Sequence, residues 1–250
     1  MHSINNNKEK ILIIILLCVA IFCSFLIPHG QSPDEWAHVY RAYSILNGDI
    51  LLTKHGRDVG TEIDTGLIKY LQARNNYICK HDKKLNTAEE KKMNSIRFEK
   101  EKKFQGFNNM AVYFPASYIP HAIGLGLGKL FNASIFNTFC LVRILCIGTI
   151  GSLLFFAQKL TAVPLPVFLL LFMPMSVFQL GSTTTDGIHF ALITFIMSAL
   201  YKLYKDGYDN KLLTVLNIAI FVLITHRINF SLLRYCLHYC ILKKKTNNIC

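Results

Sequence analysis

From Ile11 to Ile27 the chain runs for 17 residues without one charged side chain, directly after Lys8-Glu9-Lys10. Such a stretch has few fates. A helix satisfies its own backbone N–H and C=O groups, and about 20 apolar residues cross a hydrocarbon core roughly 30 Å thick. A signal peptide also starts with basic residues, but its apolar core is shorter, and no A-x-A-like cleavage site follows here. The segment therefore reads as an uncleaved first transmembrane helix. Apolar segments return at 133–157, 163–181, 187–204 and 212–225, with a weaker one at 228–242. Hydrophobic residues make up 52% of the 250 and charged ones 17%, below the roughly 25% of a soluble domain. The charges are also clustered: Asp49 to Lys103 holds 22 of the chain's 42.

The net charge of +12 does not point to nucleic acid, because no basic helix or RNP-like strand carries it. Six of the eight cysteines, Cys18, Cys23, Cys140, Cys146, Cys236 and Cys240, sit in apolar stretches and no Cys-x-x-Cys occurs. That usage suggests small hydrophobes in lipid rather than a disulfide framework or a zinc site.

Residues 111–131 carry no charge before Lys129, yet Pro115, Pro120, Gly124, Gly126 and Gly128 weaken them as a spanning helix. Charge counting decides. If they do not span, Lys159, Lys202, Lys205, Lys211 and Lys243 to Lys245 join Lys8 and Lys10 on the cytoplasmic side, as the positive-inside rule prefers. The segment is then expected on the outer surface or partly re-entrant. The fold class expected is all-α: a polytopic helical membrane bundle with a large external loop carrying interfacial helices. Residues 1–28 form the first transmembrane helix and 29–132 the external loop. Residues 133–225 form four transmembrane helices, and 226–250 a weak hydrophobic segment and basic tail. The 28–132 region, Ser182 to Asp186 and His226-Arg227 then share the external face.

Ser32-Pro33-Asp34-Glu35-Trp36 follows the first span closely. Ser32 as N-cap, Pro33 at the first helical position and Glu35 closing a capping box would explain the motif structurally. At 100° per residue, Trp36, Val39, Tyr40, Tyr43 and Leu46 gather on one side, and Asp34, His38 and Arg41 on the other. This suggests an interfacial helix with an aromatic underside and a charged face toward water. A carboxylate held there suits catalysis on a lipid-linked substrate. Asp34 or Glu35 can act as general base, or as ligands to a divalent cation such as Mg or Mn against a phosphate. Both readings, cap and catalyst, stay open on the residues alone.

Asp186 is the second external acid, either N-cap of a helix beginning at Gly187 or a site residue, with His189 one turn further in. Arg143 lies inside the second span, where a charge is costly and calls for a partner carboxylate or a bound phosphate. By position, His38, Arg41, Arg143 and Asp186 are the candidate substrate contacts.

Three pieces carry a resemblance. They are Ser32-Pro33-Asp34-Glu35-x-Ala37-His38-x-Tyr40-Arg41-Ala42, Tyr113-Phe114-Pro115-x3-Tyr118-Ile119-Pro120, and Pro174-Met175-x2-Phe178-Gln179-x-Gly181-Ser182-x3-Asp186-Gly187. Over roughly residues 10–205 the chain resembles a bacterial family of multi-pass membrane proteins of unknown function, grouped with the C-type (GT-C) glycosyltransferases. The resemblance implies a GT-C-like N-terminal part whose first external loop carries the acidic motif, matched by Asp34 and Glu35. It implies transfer of a sugar from a polyprenyl-phosphate carrier to a polysaccharide or other envelope acceptor, at the outer face of the bacterial inner membrane. The partners implied are membrane lipids, the carrier-linked sugar and the acceptor. Superfamily members have more spans, and the residues after about 225 read poorly against the family, so a C-terminally truncated form is expected.

Two rival functions are a non-enzymatic flippase or transporter of a lipid-linked saccharide and an assembly protein for envelope polysaccharide. A transporter places polar residues along its spans near the midplane, whereas here the acids cluster at one surface. No Gly-rich phosphate loop is present, which favours a lipid-phosphate donor over a nucleotide sugar.

The lysine distribution makes a topological prediction. In a background without native thiols, an impermeant thiol reagent should label Lys84→Cys in intact spheroplasts, and should not label Asp209→Cys. The reverse pattern would overturn the topology.

Overall fold

The structure is a computed structural model and describes residues 2–77, 86–207 and 209–226. The weak apolar segment at 228–242, the lysines at 243–245, Arg227 and Cys79, Cys236, Cys240 and Cys250 lie outside the described residues.

Helix α1 (His2–Leu26) is followed by α2 (Glu35–Leu46). Strands β1 (Thr53–His55) and β2 (Asp58–Asp64) precede α3 (Thr65–Asn75) and α4 (Thr87–Asn94). Strand β3 (Lys102–Gly106), α5 (Asn108–Ala111) and a 3₁₀ turn (Pro115–Tyr118) lead to α6 (Ile119–Leu130). Then come α7 (Ile135–Leu160), α8 (Leu165–Leu171), α9 (Pro174–Leu180), α10 (Asp186–Asp206) and α11 (Asn210–His226).

Among the described residues, three helices are long and apolar enough to cross a membrane: Asn7–Leu26, Ile135–Leu160 and Asp186–Asp206. The stretch expected as one helix over 163–181 is instead two seven-residue helices, α8 and α9. The break falls before Pro174, whose ring and missing N–H are incompatible with a continuing helix. Helix α11 has 17 residues, at the short end for a span.

The helices share two ends. At one, the Glu9 carboxylate of α1 accepts the Val163 N–H at 3.1 Å, just past the end of α7. Lys8, Lys10, Lys159, Lys202, Lys205 and Lys211 all lie at this end. At the other, Arg143 of α7 reaches the last turn of α1, and the 181–186 loop packs against α1 through Gly181, where an added Cβ would lie 3.1 Å from Ala20 O.

The 28–134 region folds on this second end, and it is not all helical. An antiparallel sheet of order β1-β2-β3 pairs Thr53 with Gly60 and Glu62 with Phe104. The β1–β2 turn has Gly56 at φ 62°, in the first central position, where a two-residue turn of type II′ requires positive φ. These strands are short and mostly polar, so hydropathy does not reveal them. Asp64, fully buried, ends β2 and caps α3 by accepting from Gly66 and Leu67 N–H, and it also accepts from Glu99 N–H.

Helix α6 is twelve residues long, too short to span. Its prolines fall where they are tolerated: Pro115 opens the 3₁₀ turn and Pro120 sits in the first turn of α6. Its glycines let it lie against α7. A Cβ on Gly124 would come within 2.9 Å of Val142 Cα, and one on Gly128 within 2.2 Å of Thr138 Oγ1. The residues that lower helix propensity thus permit backbone approach, as small residues at a four-residue spacing do in membrane helix pairs.

Helix α2 departs from the interfacial reading. Val39, Tyr40 and Tyr43 are buried, as the apolar face requires, but His38 and Arg41 are buried too, at 5% and 2% exposure. The 49–50 segment and the 3₁₀ turn with the residues before it cover the side expected to face water: His38 packs on Tyr113 and Tyr118, and Arg41 donates to Ile50 O and Tyr113 O. Trp36 alone of its aromatic side stays 42% exposed.

The α6–α7 approach is testable. Gly128→Leu should lower stability by about 1–3 kcal/mol or more through overpacking, whereas Gly148→Leu on α7, where an added Cβ meets nothing within 4 Å, should be close to neutral. Thermal unfolding of the purified protein in detergent measures both.

Candidate functional site

The acidic motif after α1 divides into two residues with different surroundings. Glu35 is fully buried. Its Oε1 accepts from Arg143 Nη2 at 3.1 Å, from Thr183 N–H at 3.3 Å and from Thr183 Oγ1 at 2.5 Å. Its Oε2 accepts from Gly30 N–H at 2.8 Å and Ser32 N–H at 3.3 Å. A carboxylate offers about four lone-pair sites, and five donors converge on this one. Arg143, also fully buried, donates through Nη1 to Ser24 O and Ile27 O, each at 2.6 Å. Ser24 O belongs to the last turn of α1, where helix carbonyls lack intrahelical partners. Arg143 therefore caps α1, and its charge is balanced by Glu35. The buried cation is an ion-pair partner of Glu35.

Asp34 is exposed and holds φ 56°, ψ 14°, the left-handed region. It occupies the N-cap position of α2, but its side chain makes no cap hydrogen bond. The cap is therefore not Ser32, whose Oγ instead donates to Gln179 Oε1 at 3.3 Å. What remains of the capping box is its return half, Ser32 N–H to Glu35. The αL conformation costs a non-glycine residue of order 1 kcal/mol or more unless its surroundings impose it. The fixed Glu35 and the Ser32 contact on either side impose it here, and they aim a carboxylate outward from a rigid support.

Ser182, Thr183, Thr184 and Thr185 are all buried, and Gln179 Oε1 accepts from Thr184 Oγ1 at 2.8 Å as well as from Ser32. The 32–35 motif and the 179–185 loop, expected to share a face, are thus in direct contact. Asp186 opens α10 half-buried, one residue after the N-cap Thr185.

His38 and Arg41 turn inward. Arg41 Nη2 donates to Ile50 O and Tyr113 O, each at 3.1 Å, so it ties two loops to α2, and burial pulls its pKa below the usual arginine value. His38 Nδ1 lies 2.9 Å from Tyr118 OH. Tyr118 and Tyr113 in turn stack near His226, whose ring is 4.3 Å from that of His189. His189 Nε2 meets Ser117 Oγ at 3.1 Å, and His226 Nε2 meets Thr185 Oγ1 at 3.0 Å. These residues come from positions 38 to 226, and although several of them stand in the quoted motifs, no local pattern says that they meet.

His29, between α1 and α2, is another residue the sequence does not single out. It is buried against Phe136 and Phe139, and its Nδ1 lies 2.5 Å from Tyr70 OH. Burial, with Arg143 and Arg74 nearby, pushes its pKa down to about 2, and burial pushes Tyr70 up to about 12. The imidazole is thus neutral, and it shares a hydrogen bond with the tyrosine hydroxyl.

A divalent cation does not fit the Asp34–Glu35 pair. Glu35 has no lone pair to offer, and Asp34 is then a single ligand. Among the described residues no group of three or more His, Cys, Asp or Glu side chains is placed to hold a metal.

The sequence matches the family described as "Predicted membrane protein (DUF2142)" over residues 16–248, and the chain belongs to that family. The match runs past residue 225, further than the motif resemblance reaches. No curated protein and no solved structure matches the chain.

The hub carries a stability prediction. Glu35→Gln leaves Arg143 buried without its counter-charge and should cost about 3–5 kcal/mol. The double variant Glu35→Leu/Arg143→Met should recover part of that loss, because an apolar pair needs no desolvation. Thermal unfolding in detergent reads both. A double variant no more stable than Glu35→Gln would show that the hydrogen bonds to α1 and Thr183 matter more than the charge balance.

Proposed function

We propose that the chain acts in sugar transfer at the outer face of the bacterial inner membrane, as a GT-C-like glycosyltransferase. The donor is a polyprenyl-phosphate-linked sugar and the acceptor a cell-envelope polysaccharide or related molecule. The observation that carries the reading is Asp34: an exposed carboxylate, in a strained backbone conformation, at the start of a helix clamped to the end of the membrane bundle. A strained functional side chain on a rigid support is a common arrangement at active sites.

In this scheme Asp34 is the general base. The acceptor hydroxyl attacks the anomeric carbon, its proton passes to the Asp34 carboxylate, and the bond from that carbon to the carrier's phosphate oxygen breaks. The electron pair leaves with the polyprenyl phosphate. Glu35 is not a second base. Its five donors hold it in place, and it acts by fixing the backbone of Asp34. Arg143 and Arg41 are likewise positioning residues, and His38 supports α2 from within. Asp186, half-buried on the adjoining loop, remains the candidate for contact with substrate. No step requires a metal at the 34–35 pair, which fits the donor accounting there. The flippase reading draws less support, because Arg143, an intramembrane cation, is already neutralised by Glu35.

Surface glycan composition tests the proposal in four strains: wild type, gene deletion, Asp34→Asn and Glu35→Gln. Asparagine tolerates the αL region, so Asp34→Asn keeps the shape and removes the base. Loss of a general base lowers rate roughly 10²–10⁴-fold, so Asp34→Asn should reproduce the deletion's glycan change at normal protein abundance. Glu35→Gln should instead lower the amount of folded protein. An unchanged glycan in the deletion strain would overturn the function, and an Asp34→Asn strain matching wild type would overturn the base assignment.

A further inference from the structure

A groove of about 1260 Å³ opens on the side of the bundle far from Asp34, between α8, the end of α7 and one face of α10. Its α10 wall runs from Phe190 to Lys205, about four turns or roughly 22 Å. The chemistry changes along that length. Val167, Leu170 and Met197 line the part toward the middle of the bundle, whereas Lys159, Lys202 and Lys205 gather at the end that also holds Lys8 and Lys10.

The acids beside these lysines are already engaged. Glu9 accepts the Val163 N–H, and Asp206 accepts from Lys202 Nζ at 2.9 Å. Lys159 and Lys205 are exposed and make no ion pair among the described residues. The groove thus has a cationic mouth and an apolar trough along the direction in which a bilayer lipid lies. Tyr201, between the two parts and 55% exposed, suits the level where headgroup meets acyl chain.

We propose that this groove seats an anionic phospholipid, its phosphate held by Lys159 and Lys205 and one acyl chain lying along α10 over Leu170 and Met197. A zwitterionic lipid offers the same chain but no net charge to the lysines. The site would therefore select by headgroup, each lysine contributing several-fold.

The experiment uses the full chain reconstituted into phosphatidylcholine vesicles containing brominated phosphatidylglycerol, and a tryptophan in the trough. Trp36 is the chain's single tryptophan, so Met197→Trp in a Trp36→Phe background reports on the groove alone. Brominated phosphatidylglycerol should quench it well above its mole fraction, and brominated phosphatidylcholine should not. Adding Lys159→Gln and Lys205→Gln should reduce the preference roughly tenfold or more. The pair Lys10→Gln and Lys211→Gln removes equal charge from the same end outside the groove and should leave the preference unchanged. Equal loss in both pairs would mean diffuse surface attraction and overturn the site. Equal quenching by the two lipids would overturn headgroup selection. A tryptophan shielded from both lipids would overturn the proposal in favour of a protein occupant, a second copy or residues 227–250.

Discussion

The Glu35–Arg143 pair is the constraint on which the upper half of the molecule depends. One buried cation reaches the carbonyl end of the first long helix, and one buried carboxylate gathers the start of α2 and the 183 loop around it. Such a pair adds little net stability, because desolvating two charges offsets most of their attraction. Its effect is on specificity. An unpaired Arg143 in an apolar helix is so unfavourable that arrangements failing to bring Glu35 to it are strongly disfavoured. Three segments far apart in sequence are thereby held in one register.

Asp34 derives its position from that register. The chain must leave α1, present Gly30 and Ser32 N–H groups to Glu35, and enter α2 within a few residues. Asp34 takes the left-handed turn that this path requires. The exposed acid and the buried acid, adjacent in sequence, are thus divided between tasks: one fixes the backbone, the other faces outward. Glu35 saturated by five donors is poorly suited to bind metal, while Asp34 has no cap bond to lose.

Much of this was legible in the sequence and some was not, for physical reasons. The long helices announce themselves because hydropathy over some twenty residues is a strong signal, and the lysines at one end follow from the same reasoning. Arg143 declares that it needs a partner but not which one, since Glu35 is over a hundred positions away. The capping-box pattern at Ser32 correctly pairs its N–H with Glu35, yet Gln179 draws the Ser32 hydroxyl away and the cap falls on Asp34. The amphipathic pattern of α2 identifies Tyr40 and Tyr43 as buried. It does not reveal that the 49–50 and 113–118 segments cover His38 and Arg41 as well, because a helical wheel reports one apolar face and knows nothing of polar residues satisfied by distant carbonyls. The strands are too short and too polar to produce an alternating signal, and Pro174 marks a break that bulk hydropathy averages away.

The capping of α1 by Arg143 also sets an order of events during synthesis. The Arg143–Ser24 contact spans 119 positions, and at roughly 5–20 residues per second several seconds or more pass between the two leaving the ribosome. Through that interval the last carbonyls of α1 lack the guanidinium that caps them in the folded chain. The first helix is therefore made, and its apolar run available to insert, before the arginine that seals its end exists. Insertion and docking are separate stages, and the second is the one a mutation at this pair would stall.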